Sequence, residues 1–232
     1  MHNYYNLLPT TDVRKDEESI LEALVAIKDN KVANDVKLLN FYREVPINFG
    51  VSIDHVERGL VEMTVHQLQA ALMGLQKETL IRSGHFRNDV VAKVNRAGTE
   101  NGVAFLSHFS YVQILTDRRS HIRVTVSENI DVSFRAHQLR LQGKLMDISI
   151  GGMAFLAPDK QGIEDNTRGL ISFSLKGNRL EFPAILLRID DEPPEKRFVF
   201  QFNLDSKSET HISHFVFQTQ SEIIRELKDK FI

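Results

Sequence analysis

Apolar residues repeat first at helical spacing and then in strand-like alternation along this chain. In DVRKDEESILEALVAIKDN, residues 12–30, the apolar Ile20, Leu24 and Ile27 recur every three or four positions behind an acidic start rich in helix-capping residues. This pattern predicts one amphipathic helix near the N-terminus.

Short apolar runs between residues 36 and 115 predict a small β domain. The runs are VKLLNFY, VPINFGVSI, GLVEMTV, DVVAKVN and NGVAFLSHF. In GLVEMTV the apolar Val61, Met63 and Val65 alternate with polar residues, as in a strand with one face in solvent. The segment HQLQAALMGLQ is interpreted as a short helix or a packed connection.

The second half predicts a barrel or a sandwich of about six short strands. Its strand-like runs are VTV, IDVSF, LQGKLMDISI, GMAFLA, GLISFSL, LEFPAILLRI and FVFQFNL. In LKGNRL the turn is assigned to Gly177 and Asn178, which tolerate the positive φ of a hairpin turn. The residues assigned to the core face of the last strand are Phe198, Phe200, Phe202 and Leu204.

The final segment, HISHFVFQTQSEIIRELKDKFI, predicts a C-terminal helix. Its apolar positions recur at helical spacing at Ile212, Val216, Ile223, Leu227 and Phe231.

Length and the change of pattern predict two small domains behind a helical segment. A chain of 232 residues exceeds the usual size of one domain, which is about 100–150 residues. We place the helical segment at 1–35, the first β domain at 36–115 and the second at 116–232. The boundary falls at the arginine-rich stretch TDRRSHIRV.

Composition restricts the class of protein. The content of 42% hydrophobic and 26% charged residues is typical of a folded chain, and a net charge of -2 argues against a protein that mainly coats nucleic acid. The chain has no cysteine, no apolar run long enough to span a membrane and no signal-peptide pattern at its start. We therefore expect a cytoplasmic protein with no membrane span and no nucleic-acid partner.

Two polar stretches are candidates for a binding site. TDRRSHIRV concentrates arginines at the start of the second β domain, although such a cluster alone is usually a solvated surface. In DISIGGMAF, Asp147 and Ser149 share one strand face and offer an acceptor beside a donor-acceptor. Gly151 and Gly152 then permit a positive-φ turn and close approach of a ligand, although this stretch alone is often just a strand ending in a turn.

Taken together, RRSHIR and DISIGG resemble the RxxxR and (D/N)xSxxG motifs of PilZ domains, which bind the bacterial second messenger cyclic di-GMP. The resemblance implies the RxxxR pair, a preceding extra arginine and the three residues of the second motif as ligand contacts. With the glycine of the turn added, the expected ligand-binding residues are Arg118, Arg119, Arg123, Asp147, Ser149, Gly151 and Gly152. The extra arginine is typical of members that bind two stacked ligand molecules.

In domain order and β-rich pattern, the first half resembles the N-terminal split-barrel domain of flagellar brake (YcgR-type) proteins. The two resemblances imply a mainly β fold of two small β-barrel domains, an N-terminal split barrel and a C-terminal six-stranded PilZ barrel. An N-terminal and a C-terminal helix complete this fold. The N-terminal helix has no counterpart in the flagellar brake pattern and is a candidate for homodimerisation or partner contact.

The expected function is that of a bacterial cyclic di-GMP receptor. The planar arginine fork matches the O6 and N7 atoms of guanine, and the Asp147 carboxylate can accept from the guanine N1 and N2 donors. By the resemblance, ligand at the interdomain junction changes the domain arrangement and regulates motility, biofilm or exopolysaccharide output. The protein partner would be flagellar motor or polysaccharide machinery. A nucleic-acid-binding β-barrel and a PilZ adaptor that binds proteins without ligand stay open as alternatives.

The sequence contains no recognised catalytic or metal-binding motif. It has no nucleophile elbow, no Walker loop and no metal-ligand set, so we expect no enzyme activity, no metal and no cofactor besides the ligand. The acidic triplet Asp190, Asp191 and Glu192 before a Pro-Pro pair is interpreted as a solvated turn between strands.

Overall fold

The computed structural model describes residues 4–8, 12–115, 121–137, 139–158 and 163–231 of the chain. The chain folds into two compact units. The first unit comprises residues 1–42, 46–119 and 224–232, and the second comprises residues 43–45 and 120–223.

The first unit begins with a short strand and the helix that the sequence predicts. These elements are β1 (Tyr5–Leu7) and α1 (Val13–Lys28). The helix begins at its N-cap Asp12, whose carboxylate accepts hydrogen bonds from the backbone N–H groups of Arg14 and Lys15. The predicted apolar stripe is confirmed, because Ile20, Leu24 and Ile27 are all buried.

An antiparallel sheet forms most of the first unit. Its further elements are β2 (Lys37–Tyr42), β3 (Val45–Gly50), β4 (Ser52–Glu57), β5 (Leu60–Thr64), α2 (Gln67–Gln76), β6 (Glu78–Arg82), β7 (Asp89–Gly98) and β8 (Val103–Ile114). The strand order is β3-β2-β6-β7-β8-β5-β4, and β1 pairs with β8. The sheet curls into a half-barrel.

This curled sheet is covered on both faces. The neighbouring Leu38 and Leu39 of β2 belong to two separate apolar clusters, as expected for successive residues of one strand. The alternation predicted for GLVEMTV is confirmed, since Val61, Met63 and Val65 are buried.

The second unit is a closed six-stranded barrel followed by a helix. Its elements are β9 (Val124–Thr125), β10 (Asp131–Ala136), β11 (Leu139–Ser149), β12 (Gly152–Ala157), β13 (Arg168–Leu175), β14 (Asn178–Glu192), β15 (Glu195–Phe202) and residues 206–223 of α3 (Ser206–Phe231). The order β10-β13-β14-β15-β12-β11 closes through pairing of β10 with β11, and β9 adds to β11. The predicted mainly β fold with two barrel-like sheets and helices near both ends is thus confirmed.

Phenylalanine rings fill the barrel. Phe198 and Phe200 are each 1% exposed, and the Phe200 ring lies 5.2 Å from the Phe155 ring and 4.6 Å from the Phe134 ring. Phe202 at the end of β15 and Leu204 beyond it are only half-buried, so the buried part of the predicted core face ends at Phe200.

The hairpin between β13 and β14 is one residue earlier than predicted. Lys176 and Gly177 both have positive φ, whereas Asn178 pairs with Leu175 as the first residue of β14. Two consecutive positive-φ residues match the right-handed twist of the flanking strands, and this decides the register.

The C-terminal helix α3 begins at Ser206, five residues before the predicted start. The Asp205 carboxylate accepts a hydrogen bond from the backbone N–H of Ser208 at 2.7 Å, which stabilises that earlier first turn. The predicted apolar positions Ile212, Val216, Ile223 and Leu227 are buried, whereas Phe231 is only half-buried.

Candidate functional site

The candidate site forms where strand β11 ends between two neighbouring strands. The Asp147 backbone pairs with Thr125 of β9 on one side and Ala154 of β12 on the other. The pairing of β11 with β12 shifts by one residue between Leu145 and Asp147, and such bulges redirect the side chains that follow. The end of β11 is therefore held on both sides, with its polar side chains in a defined direction.

The Asp147 carboxylate joins the two motifs. Asp147 is 3% exposed, and its Oδ1 lies 3.4 Å from Nε of Arg123, the last arginine of the first motif. This is an ion-pair distance without hydrogen-bond geometry, because Oδ1 accepts no hydrogen bond among the described residues. Of the predicted site residues, Arg123 and Asp147 are therefore in direct contact.

Arg197 of β15 holds the other oxygen of the same carboxylate. Its Nη2 donates to Asp147 Oδ2 at 2.9 Å, and its Nη1 donates to Asp190 Oδ2 at 2.9 Å. Asp190 also pairs with Arg188, 3.2 Å away. Three arginines and two carboxylates thus form one chain of charges from the barrel surface to the motif.

Burial and neighbouring charges shift the pKa of Arg197 in opposite directions, and the residue is 8% exposed. Burial alone disfavours the charged guanidinium, but hydrogen bonds and attraction from Asp147 and then Asp190 outweigh it, and the pKa of Arg197 is raised above its ordinary value. Arg197 therefore stays charged, and the buried Asp147 carboxylate keeps a compensating partner.

Ser149 and Gly152 close the tight turn at the end of β11. The Ser149 hydroxyl donates to the Gly152 carbonyl oxygen at 3.2 Å, and the two residues pair across the hairpin. Ser149 is 6% exposed, and its oxygen retains lone pairs that can accept a hydrogen bond.

The two glycines of the turn have different roles, and neither has the predicted positive φ. A Cβ on Gly152 would lie 2.1 Å from the Phe200 carbonyl oxygen, so the close approach there is made by the protein's own backbone. A Cβ on Gly151 would meet the His121 ring at 3.1 Å, which places a side chain of the first motif directly over the second.

Arg118 and Arg119 of the predicted site lie outside the described residues. The remaining predicted residues, Arg123, Asp147, Ser149, Gly151 and Gly152, come together at the end of β11 through the contacts above.

Sequence reasoning missed Arg197 and misassigned Asp190. The acidic triplet is not a turn, because it continues β14 and pairs with β15 around Pro193 and Pro194. The near-symmetric DDEPPEKR sequence could have predicted the cross-strand pair Asp190–Arg197. No local pattern indicates Asp147 as a partner of Arg197, since the two residues are 50 positions apart.

The described parts of the chain contain neither a metal-binding cluster nor a membrane-spanning helix. No group of three or more His, Cys, Asp or Glu side chains there is placed to hold a metal ion. None of the described helices combines the length and apolar character needed to cross a membrane.

Comparison with solved structures gives matches at low sequence identity and with TM-scores below 0.5. YcgR from Escherichia coli in complex with c-di-GMP is 16% identical with a TM-score of 0.44, covering 90% of this chain and 94% of that one. The K. pneumonia MrkH–c-di-GMP complex is 12% identical with a TM-score of 0.48, covering 94% and 98%. Bacillus subtilis inhibitor of motility (MotI/DgrA) is 11% identical with a TM-score of 0.42, covering 81% and 96%.

Sequence comparison identifies the family of the second half. An uncharacterized protein of Aquifex aeolicus (strain VF5) is 27% identical over 124 residues, which are 53% of this chain and 60% of that relative. The family model described as PilZ domain matches residues 117–218, a range that contains both motifs and the first half of helix α3. Residues 117–218, with the charged site at the end of β11, are a PilZ domain.

Proposed function

We propose that this protein is a non-enzymatic receptor for cyclic di-GMP, which binds at the two motifs of the PilZ domain. The observation that carries the proposal is the contact between Arg123 and Asp147, because it joins the first motif to the second in one polar site. The match of the PilZ family model to this stretch supports the same ligand class.

The chemistry of the site suits a guanine dinucleotide that carries two phosphodiester charges. Arginine can bind phosphate oxygens or the O6 and N7 acceptors of guanine with its planar fork. The three arginines and two carboxylates of the charge chain carry one excess positive charge, before Arg118 and Arg119 are counted. Such an excess favours an anionic ligand.

The acceptors of the site suit the other edge of guanine. Asp147 Oδ1 is buried and accepts no hydrogen bond among the described residues, which is costly unless a ligand supplies a donor. Guanine presents adjacent N1 and N2 donors, and we assign both to the Asp147 carboxylate, with the Ser149 hydroxyl on the same side of the base. Adenine lacks that donor pair, so the site would discriminate between the two bases.

We also propose, from the order of domains in the sequence, that ligand changes the arrangement of the domains at 36–115 and 116–232. Binding would neutralise the arginines of the linker and attach it to the barrel, which shifts a population rather than catalysing a reaction. The output would be motility, biofilm or exopolysaccharide control through a protein partner such as flagellar motor or polysaccharide machinery.

Calorimetric titration with cyclic di-GMP tests the proposed receptor function, with GTP and cyclic di-AMP as control ligands. The native chain should bind cyclic di-GMP selectively, with one or two ligands per chain. Arg123→Ala and Arg119→Ala should each weaken binding by about ten- to hundredfold, since a bidentate arginine–guanine contact contributes about 1–3 kcal/mol.

Arg135→Ala is the matched control, because Arg135 is also an arginine paired with a carboxylate, Glu181, in the same barrel but outside both motifs. It should bind as the native chain does. A folded native chain that gives no heat with cyclic di-GMP would overturn the proposed function. Small-angle scattering profiles that superimpose with and without saturating ligand would overturn the rearrangement alone.

A further inference from the structure

Arg197 and Asp190 lie outside both PilZ motifs, yet they are bonded to the motif carboxylate. We propose that Arg197, anchored by Asp190, is a positioning residue that orients the Asp147 carboxylate for guanine recognition. This inference rests on the proposed function, because it concerns the same ligand.

The sheet register shows how an arginine two strands away reaches Asp147. In the strand order β15-β12-β11, Asp147 pairs with Ala154 of β12, and Ala154 pairs with Val199 of β15. Arg197 is two residues before Val199 and therefore projects from the same face of the sheet. The small side chain of Ala154 leaves room on that face for an arginine to cross from β15 to β11.

Asp190 fixes the direction of that crossing. It pairs with Arg197 across the β14–β15 hairpin, and its Oδ2 accepts from Nη1 while Nη2 donates to Asp147. A planar guanidinium with two of its nitrogens bonded to two carboxylates has little rotational freedom. The position of the Nη2 donor is therefore set from the β14 side, before any ligand binds.

The hydrogen bond on one oxygen determines where the other oxygen points. With Oδ2 bonded to Arg197, Oδ1 is left facing Arg123 and is the atom with unused acceptor capacity. A carboxylate can accept from the adjacent N1 and N2 donors of guanine only in a defined orientation. Loss of the Arg197 bond lets the carboxylate rotate, so guanine recognition should suffer more than phosphate binding.

The test compares affinity for cyclic di-GMP with affinity for cyclic di-IMP, which lacks the N2 amino donors. The native chain should prefer the guanine ligand. Arg197→Lys keeps a positive charge but loses the fork, and it should lower affinity for cyclic di-GMP by about tenfold or more and affinity for cyclic di-IMP by less. Asp190→Asn, a milder change, should reduce the same preference by a smaller factor.

The matched controls are Arg135→Lys and Glu181→Gln, which alter an arginine–carboxylate pair of 2.7 Å in the same barrel outside the motifs. Both should keep native affinity and native preference. Thermal melts verify that each variant is folded, and Asp190→Asn carries the test if Arg197→Lys does not fold.

Equal affinity and equal preference in a folded Arg197→Lys or Asp190→Asn variant would overturn the positioning role while leaving the receptor intact. An equal loss for both ligands would also overturn it, because that is the signature of a merely structural contact. If the native chain binds neither dinucleotide, the proposed function fails and this inference fails with it.

Discussion

Among the described residues, each unit has a polar cluster built around a buried side chain, Asn40 in the first unit and Asp147 in the second, and the two clusters differ in kind. In the first unit the cluster is neutral and consists of Asn40, Gln69, Thr79 and Gln76. In the second unit it is charged and consists of Arg123, Asp147, Arg197 and Asp190. We call them the amide cluster and the charged cluster.

The amide cluster ties helix α2 to strands β2 and β6. Asn40 Oδ1 accepts from Gln69 Nε2 at 2.5 Å and from Thr79 Oγ1 at 2.7 Å, while Asn40 Nδ2 donates to Gln76 Oε1 at 2.6 Å. Gln76 Nε2 in turn donates to the Phe41 carbonyl oxygen at 2.6 Å. These groups satisfy one another, and within the described chain only Gln69 Oε1 of this cluster is buried without a hydrogen bond.

The charged cluster is less complete. Asp147 Oδ1 and Arg197 Nε are buried without a hydrogen bond among the described residues. A neutral network whose members bond mainly to one another specifies how elements pack, whereas a charged network with buried groups left without hydrogen bonds suits a partner that supplies its own donors and acceptors. This difference supports a structural role for the amide cluster and the proposed ligand-binding role for the charged cluster.

The largest loss of stability is expected at Gly152, the glycine in the turn beside the charged cluster. Gly152→Ala would place a Cβ 2.1 Å from the Phe200 carbonyl oxygen, and backbone atoms cannot move aside cheaply. We expect destabilisation of about 3 kcal/mol or more, measured as a lower thermal midpoint, together with loss of ligand binding.

The neighbouring Gly151→Ala is the control for that change, since its Cβ would meet only the exposed His121 ring at 3.1 Å. It should fold nearly as well as the native protein. Similar midpoints for the two variants would contradict the close-approach argument.

The next largest losses of stability are expected for substitutions at the centres of the two clusters. Asp147→Ala leaves the buried Arg197 without one of its two carboxylates and should cost about 3–5 kcal/mol. Asn40→Ala removes a neutral partner and should cost about 1–3 kcal/mol. Denaturant unfolding of both variants measures the two losses of stability, and Asp147→Ala should show the larger one.

A double variant sharpens the same comparison. Asp147→Leu combined with Arg197→Met replaces the buried ion pair with apolar side chains and should recover much of the stability lost in Asp147→Ala. It should not recover ligand binding. A double variant less stable than Asp147→Ala would mean that the pair is needed for folding itself.

A smaller effect is expected at the edge of the amide cluster. Thr79→Val keeps the shape of a side chain that is 1% exposed but removes its donation to Asn40, and it should cost about 1 kcal/mol. Affinity for cyclic di-GMP should not change, as measured by calorimetry. A loss of affinity would show that the amide cluster is not purely structural.

The smallest effect is a pH dependence in the first unit. Burial, followed by the hydrogen bond and charge of Glu78, raises the pKa of Tyr5 to about 12 from 10.0. The folded state therefore keeps this proton at pH values where the unfolded state loses it, so the contribution is present below pH 10 and is lost towards pH 12. Tyr5→Phe should reduce the fall in thermal midpoint over that interval, and an unchanged slope would contradict the assignment.

The sequence by itself determined the elements and the motif residues of this protein. Helix α1 and the strand of Val61 and Met63 follow from spacing along the chain, because periodicities of 3.6 and 2 depend on local backbone geometry alone. The motif stretch around Asp147 was visible for the same reason, since residues two apart on a strand share a face.

Only the tertiary structure decided how the charged cluster is built. Asp147 and Arg197 lie 50 residues apart, on strands that are separated by β12 in the closed barrel. Barrel closure and the bulge before Asp147 bring their side chains together. Neither feature can be predicted from the positions of charged residues along the chain. The same limit led to the interpretation of Asp190 as part of a solvated turn, because a carboxylate beside a Pro-Pro pair looks exposed until its cross-strand arginine is in place.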